Sequence, residues 1–167
     1  MAVTRRIAAS DGDLLRRIRL NALADSPDAH TATLAQTESH DADHWARAAE
    51  ANAAGASQAT FFAEADGEVI GMVGAYMLTG GVVTVVGLWS APGYRAEGVA
   101  DDLLDNVVTW ATRGGASQLR LWVVERDDEA RRFYDRRGFT ASGETMPYEP
   151  DPTISEVEMI VSLPISG

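Results

Sequence analysis

The tightest constraint on the fold is a single strand-to-helix passage, Gly87–Ala100, which reads Gly-Leu-Trp-Ser-Ala-Pro-Gly-Tyr-Arg-Ala-Glu-Gly-Val-Ala. The preceding Val82-Val83-Thr84-Val85-Val86 is a β-branched run and is predicted as a buried strand. The following Val99–Arg113 carries Val99, Ala100, Leu103, Leu104, Val107 and Ala111 at helical spacing, a stripe suited to packing on a sheet. Between them lies Arg95-x-x-Gly98-x-Ala100. The first N–H groups of a helix have no intrahelical acceptor, and the helix dipole biases them toward anions. Gly98 has no Cβ to hold an anion away from the backbone. The passage therefore predicts a phosphate or pyrophosphate held on main-chain donors, with Arg95 as a charged partner.

The rest of the chain can be arranged around that passage. Val3–Ala9 is predicted as a first strand. Ser10-Asp11-Gly12-Asp13 opens a helix carrying Leu14, Leu15, Ile18 and Ala22, and Asp25-Ser26-Pro27 stops it, because the residue before proline is pushed out of the α region. Asp41–Ala54 is predicted helical, with Trp45, Ala48 and Ala49 on one face and Gly55 as its C-cap. Thr60–Ala65 and Val69–Tyr76 are strands joined by the hairpin pair Asp66-Gly67. After Gly80-Gly81, Val82–Trp89 is apolar on both faces, as a central strand is, and Gly87 marks a bulge within it. Gly114-Gly115 closes the next helix, and Leu119–Val124 returns parallel to the strand before it. Asp127 caps a helix over 128–137, Gly138 ends it, and Phe139–Glu144 and Ile154–Leu163 close the sheet. Pro147–Pro152 is predicted as a stiff loop between those last two strands.

The segment Asp127-x-x-Ala130-x-x-Phe133-Tyr134-x-x-x-Gly138-Phe139, taken with Arg95-x-x-Gly98-x-Ala100, resembles the paired motifs of the GNAT N-acetyltransferase superfamily. The stretch Ala22–His30 is similar to an Ala-Leu-x-Asp-Ser-Pro segment of one bacterial subgroup. The resemblance implies a mixed α/β fold over 1–167 as one domain. Its centre would be a mostly antiparallel twisted sheet of about seven strands, with a splayed parallel pair at the cofactor site and helices on both faces. It implies acetyl-CoA as cofactor. The backbone of Leu88, Trp89 and Ser90 would receive the acyl-pantetheine arm, and Arg95, Ala96, Glu97, Gly98, Val99 and Ala100 the diphosphate. Asp127, Ala130, Phe133, Tyr134 and Arg137 complete the implied cofactor set, with Tyr134 as the general acid near the sulfur. Two residues depart from the pattern. Asp127 stands where asparagine is usual; it keeps the capping role but, when ionised, cannot donate a hydrogen bond. Ala96 stands where glycine is commoner and is tolerable only at negative φ.

The general base is open at this level. Relatives carry a glutamate on the strand before the loop, whereas Val82–Trp89 holds no carboxylate; Glu38, His44, Glu149, Asp151 or a water relay are the alternatives. His30, Glu38 and Glu149 are the candidate substrate contacts, with His30 equally readable as an exposed loop histidine. Glu38, His40, Asp41 and His44 have no zinc-motif spacing and read as a solvated helix start, so no metal is expected. A formal net charge of −11 makes nucleic acid a poor partner and would draw in a cation. With no cysteine, no membrane-length apolar run and no signal-peptide core, the expected setting is the cytoplasm. The expected acceptor is a primary amine on a small molecule, with cationic antibiotics and polyamines in range. Protein N-termini or lysines, or a non-catalytic acyl-CoA-sensing module, are the alternatives. A homodimer is a common state for such folds.

Overall fold

The computed structural model describes residues 2–26 and 34–164. One sheet of seven strands runs in the order β1-β2-β3-β4-β5-β7-β6. The strands are β1 (Val3–Arg6), β2 (Gln58–Ala65), β3 (Glu68–Leu78), β4 (Val82–Ser90), β5 (Gln118–Val124), β6 (Thr140–Tyr148) and β7 (Asp151–Ser162). The described helices are α1 (Gly12–Asp25), α2 (Leu34–Glu38), α3 (Ala42–Ala54), α4 (Val99–Arg113) and α5 (Asp128–Arg136). Every strand pair is antiparallel except β4 with β5.

Helices cover both faces because neighbouring strand residues point in opposite directions. Phe61 packs in a core with Val99, Leu103, Leu104, Val107 and Ala111 of α4. Its neighbour Phe62 packs with Leu15, Ile18 and Ala22 of α1 and Trp45 and Ala49 of α3. The predicted stripes of α1, α3 and α4 are thus the buried ones. Among the described residues, no helix is long and apolar enough to cross a membrane.

Two local expectations are corrected, and one holds for a different reason. Asp11, not Ser10, takes the N-cap position of α1, and its carboxylate accepts from the Ala8 N–H (2.8 Å) and from Arg5 (2.8 Å) instead of capping the helix. Gly55 is the C-cap of α3 as expected, but at an ordinary φ of −65°; glycine is needed there for space, since a Cβ would lie 2.5 Å from the Ala51 carbonyl oxygen. The Pro147–Pro152 stretch is not a loop. β6 and β7 continue through it and pair Tyr148 with Asp151, leaving Glu149-Pro150 as a tight turn.

The opening that positions the site comes from β4. Met72 of β3 pairs with Trp89, but Gly74 pairs with Val86, so three steps along β4 oppose two along β3. The extra residue is the bulge predicted at Gly87, whose φ is +62°. On its other edge β4 pairs with β5 only over Val82–Thr84 against Gln118–Arg120. The Arg120 guanidinium donates to the Thr84 hydroxyl (3.0 Å) at the last paired position. Beyond it the strands part, and the β5-facing edge of Val85–Ser90 has no strand partner.

Candidate active site

The splay between β4 and β5 opens a cavity of about 340 Å³ lined by residues of both strands, by Asp127, Ala130 and Tyr134 of the α5 region, and by Glu156 of β7. A second groove of about 250 Å³ runs along the N-terminal end of α4, lined by Leu88, Trp89, Ser90, Arg95, Ala100, Phe133 and others. The two share Leu88, Asp127, Ala130 and Tyr134. The structure therefore joins both sequence motifs along one continuous concavity.

Gly98 is the N-cap of α4, at φ 77° and ψ 10°, and no side chain caps this helix. A Cβ on Gly98 would meet no atom of the described residues within 4 Å. The first turn thus presents open N–H donors to free space. Val99 is buried in the core, so only its main chain can face that space. Ala96 and Glu97 are exposed loop residues. Asp66 is the one described non-glycine residue at positive φ, so Ala96 meets the condition its methyl group imposes.

Arg95 is not free. Its Nε donates to the Ser90 carbonyl oxygen (3.1 Å), and its Nη2 forms an ion pair with Asp25. Asp25 also accepts from the Trp89 indole (2.9 Å), and that bond, with Arg95 beside it, holds the Asp25 carboxyl below its usual range. Asp25 thereby ties the end of α1 to the end of β4. Arg137 is likewise engaged: its Nη1 donates to the Asp101 carboxylate (3.0 Å) and its Nη2 pairs with Asp105. Asp101, an acidic residue in the first turn of α4, is thus turned toward α5.

Asp127 accepts from the Ala130 N–H (3.1 Å), so the N-cap role expected of it is present. Phe133, Tyr134 and Phe139 pack edge-on, with ring centroids 5.2 and 5.4 Å apart. Tyr134 is 9% exposed; its carbonyl accepts from the Arg137 and Phe139 N–H groups (both 3.0 Å), which fixes the end of α5. Burial, reinforced by nearby Asp127, pushes its hydroxyl pKa well above the ordinary value, so it stays protonated at neutral pH.

The base and substrate candidates fare unevenly. Glu38 on α2 and Glu149 in the β6–β7 turn are exposed, and neither lines the splay. Asp151 bonds Thr153 instead. His44 stacks on His40 (3.8 Å between ring centroids) beside a separate cavity against α3. His30 lies outside the described residues. Two charged lining residues were not foreseen. Glu156 is 3% exposed, and burial raises its carboxyl above the ordinary carboxylate range. Arg19 of α1 reaches the same cavity. The sequence did hold a signal for Arg19: it sits four residues from both Leu15 and Leu23, on a stripe that is otherwise apolar.

The Acetyltransferase (GNAT) family model matches residues 20–139, which include both motifs. The chain belongs to the GNAT family. Its fold is shared with the GNAT-family acetyltransferase from Streptococcus pneumoniae (TM-score 0.83, 19% identity, 98% of this chain and 100% of that one). It is shared too with Arabidopsis thaliana NAA60 in complex with acetyl-CoA (TM-score 0.72, 18% identity, 98% and 99%). By sequence the chain is 32% identical over 88 residues to an uncharacterized N-acetyltransferase of Mycobacterium tuberculosis. That match covers 52% of this chain and spans just over half (55%) of the relative. In this GNAT chain the splayed strands and the uncapped helix lie where the two motifs meet. No group of three or more metal-ligating side chains occurs among the described residues.

Proposed function

We propose that this GNAT chain is an N-acetyltransferase that moves the acetyl group of acetyl-CoA to a primary amine of a small molecule, within a ternary complex. The observation that carries this reading is the continuity of the α4 groove with the β4–β5 splay, with Tyr134 at their junction. The residues fit the donor. Open N–H groups at Gly98–Ala100 suit a diphosphate, and the unpaired edge of β4 suits an amide-bearing arm. When bound, acetyl-CoA supplies an activated acyl carbon and a thiolate leaving group.

The chain's own residues supply the rest. The cavity lined by Arg19 and Glu156 holds an amine against the end of the arm lying on the β4 edge, and such positioning is a large part of acyl-transfer rates. A backbone N–H beyond the bulge, near Trp89, is placed to polarise a carbonyl. Glu156 takes the proton from an incoming ammonium at a carboxylate oxygen; its raised pKa brings it nearer the operating pH, where a general base works best. Tyr134 holds a proton at Oη for the departing thiolate. The acidic surface would favour amine approach.

An amine panel incubated with acetyl-CoA and read by free thiol tests this directly. Amine-dependent thiol release is the expected result. Binding of acetyl-CoA without turnover on any amine would overturn it in favour of a sensing role.

A further inference from the structure

Arg19 is a half-buried cation that pairs with no carboxylate among the described residues. Its Nε is fully enclosed yet has no hydrogen-bond acceptor among the described residues. Every other described arginine is either exposed or bonded to a carboxylate or carbonyl, as Arg5, Arg6, Arg95, Arg120, Arg131 and Arg137 are. Burial lowers the Arg19 pKa, and no neighbouring carboxylate offsets it. An enclosed donor without an acceptor, on a charge with no counter-ion, is costly, and such a group in a cavity is a candidate contact for a ligand.

The position of the guanidinium says what that is. Arg19 lines both the splay cavity and a neighbouring cavity of about 300 Å³ against α3. Its Nη1 lies 3.3 Å from where a Cβ on Gly87 would be, so the group sits on the bulge of β4 itself. The neighbouring cavity holds a second buried donor without an acceptor, the Trp45 indole Nε1. Glu156 is a further charge on the splay cavity and has the opposite sign. One cavity thus offers a cation for an anion and a carboxylate for an ammonium.

Resting on the acetyltransferase reading above, we infer that the acceptor is an amino carboxylate, a small amino acid whose carboxylate pairs with Arg19 while its amine faces the splay. A planar guanidinium fork matches a carboxylate in two parallel hydrogen bonds. A phosphate dianion fits less well, with a single guanidinium and the Glu156 carboxylate on the same wall. Purely cationic amines leave Arg19 unsatisfied. The acidic exterior and the site therefore select differently: the surface attracts positive charge at long range, and the half-buried arginine sets the final contact.

The test is calorimetry on protein saturated with coenzyme A. The probes are the free L-amino acids, their carboxamides, the corresponding decarboxylated amines, and phosphoethanolamine. At least one free amino acid should bind tighter than its carboxamide by about 10-fold or more, the range for a charge-assisted bond. That preference should disappear in Arg19→Met. The same variant should melt no lower than wild type without added amine, since it removes an enclosed donor that has no acceptor; a purely structural arginine would melt lower when replaced. Equal affinity for acids and carboxamides, a preference that survives Arg19→Met, or tighter binding of phosphoethanolamine than of any amino acid would each overturn the inference. Should Arg19→Met fail to fold, the wild-type order of affinities decides alone. Because the readout is binding, it is separate from thiol release: no turnover on any amine would sink the acetyltransferase reading alone, whereas loss of the acid-over-carboxamide preference would sink the carboxylate contact alone.

Discussion

Tyr134 and Glu156 line one cavity, and burial shifts both of their protons the same way. Burial raises both pKa values, which keeps the phenol protonated and moves the carboxyl toward neutrality. Tyr134→Phe keeps the ring stack and removes only the hydroxyl. It should lower kcat by about 10²-fold, with acetyl-CoA affinity by calorimetry little changed; wild-type turnover would remove Tyr134 from the mechanism. Glu156→Gln should abolish most turnover and should also alter stability in a pH-dependent way. The folded carboxyl binds its proton more tightly than the unfolded one, so stability falls as pH climbs from the ordinary value of 4.5 through the raised folded value. Glu156→Gln, which cannot titrate, should therefore melt above wild type at alkaline pH, and the gap should close below 4.5. A gap independent of pH would show that burial of this charge is not what the substitution relieves.

At the scale of elements, the junction of β4, its loop and α4 does most of the shaping. The bulge at Gly87 turns the β4 edge away from β5, while Asp25, Trp89 and Arg95 lock the far end of β4 to α1. Arg137 braces α5 against the first turns of α4 through Asp101 and Asp105. Gly98 joins strand and helix in a left-handed conformation that β-branched residues strongly disfavour. Gly98→Val should weaken acetyl-CoA binding by roughly 10-fold or more, through about 1–2 kcal/mol of backbone cost and a side chain projecting into the phosphate space. Titration of coenzyme A into the variant checks this; unchanged affinity would place the diphosphate elsewhere.

For the whole molecule, the splay is a defect in the sheet that ligand should repair. A donor lying between β4 and β5 would bind the folded chain only, and at about one hundred times its Kd would add about 2.7 kcal/mol. For a chain of this size that corresponds to roughly 5–10 °C in Tm. A thermal melt with acetyl-CoA should show it, and no shift at saturating donor would argue against a site in the folded chain.

The sequence by itself determined whatever depends on near neighbours. Helix stripes repeat within two turns, the Asp66-Gly67 hairpin within four residues, and the loop Arg95–Ala100 and segment Asp127–Phe139 within single supersecondary units. These were sufficient to recognise the family and to place the bulge. Alternation along β7 correctly put Glu156 opposite Val157 and Met159, but alternation does not say whether that second face is covered. Only the tertiary structure decided that it is, and that Arg19 from α1 and Glu156 from β7 line one cavity. The same holds for Asp25, which reaches Arg95 across 70 residues of chain. Burial and charge pairing between distant segments are set by how the sheet is ordered and where it opens. The local pattern fixes the elements; the splay fixes which side chains meet.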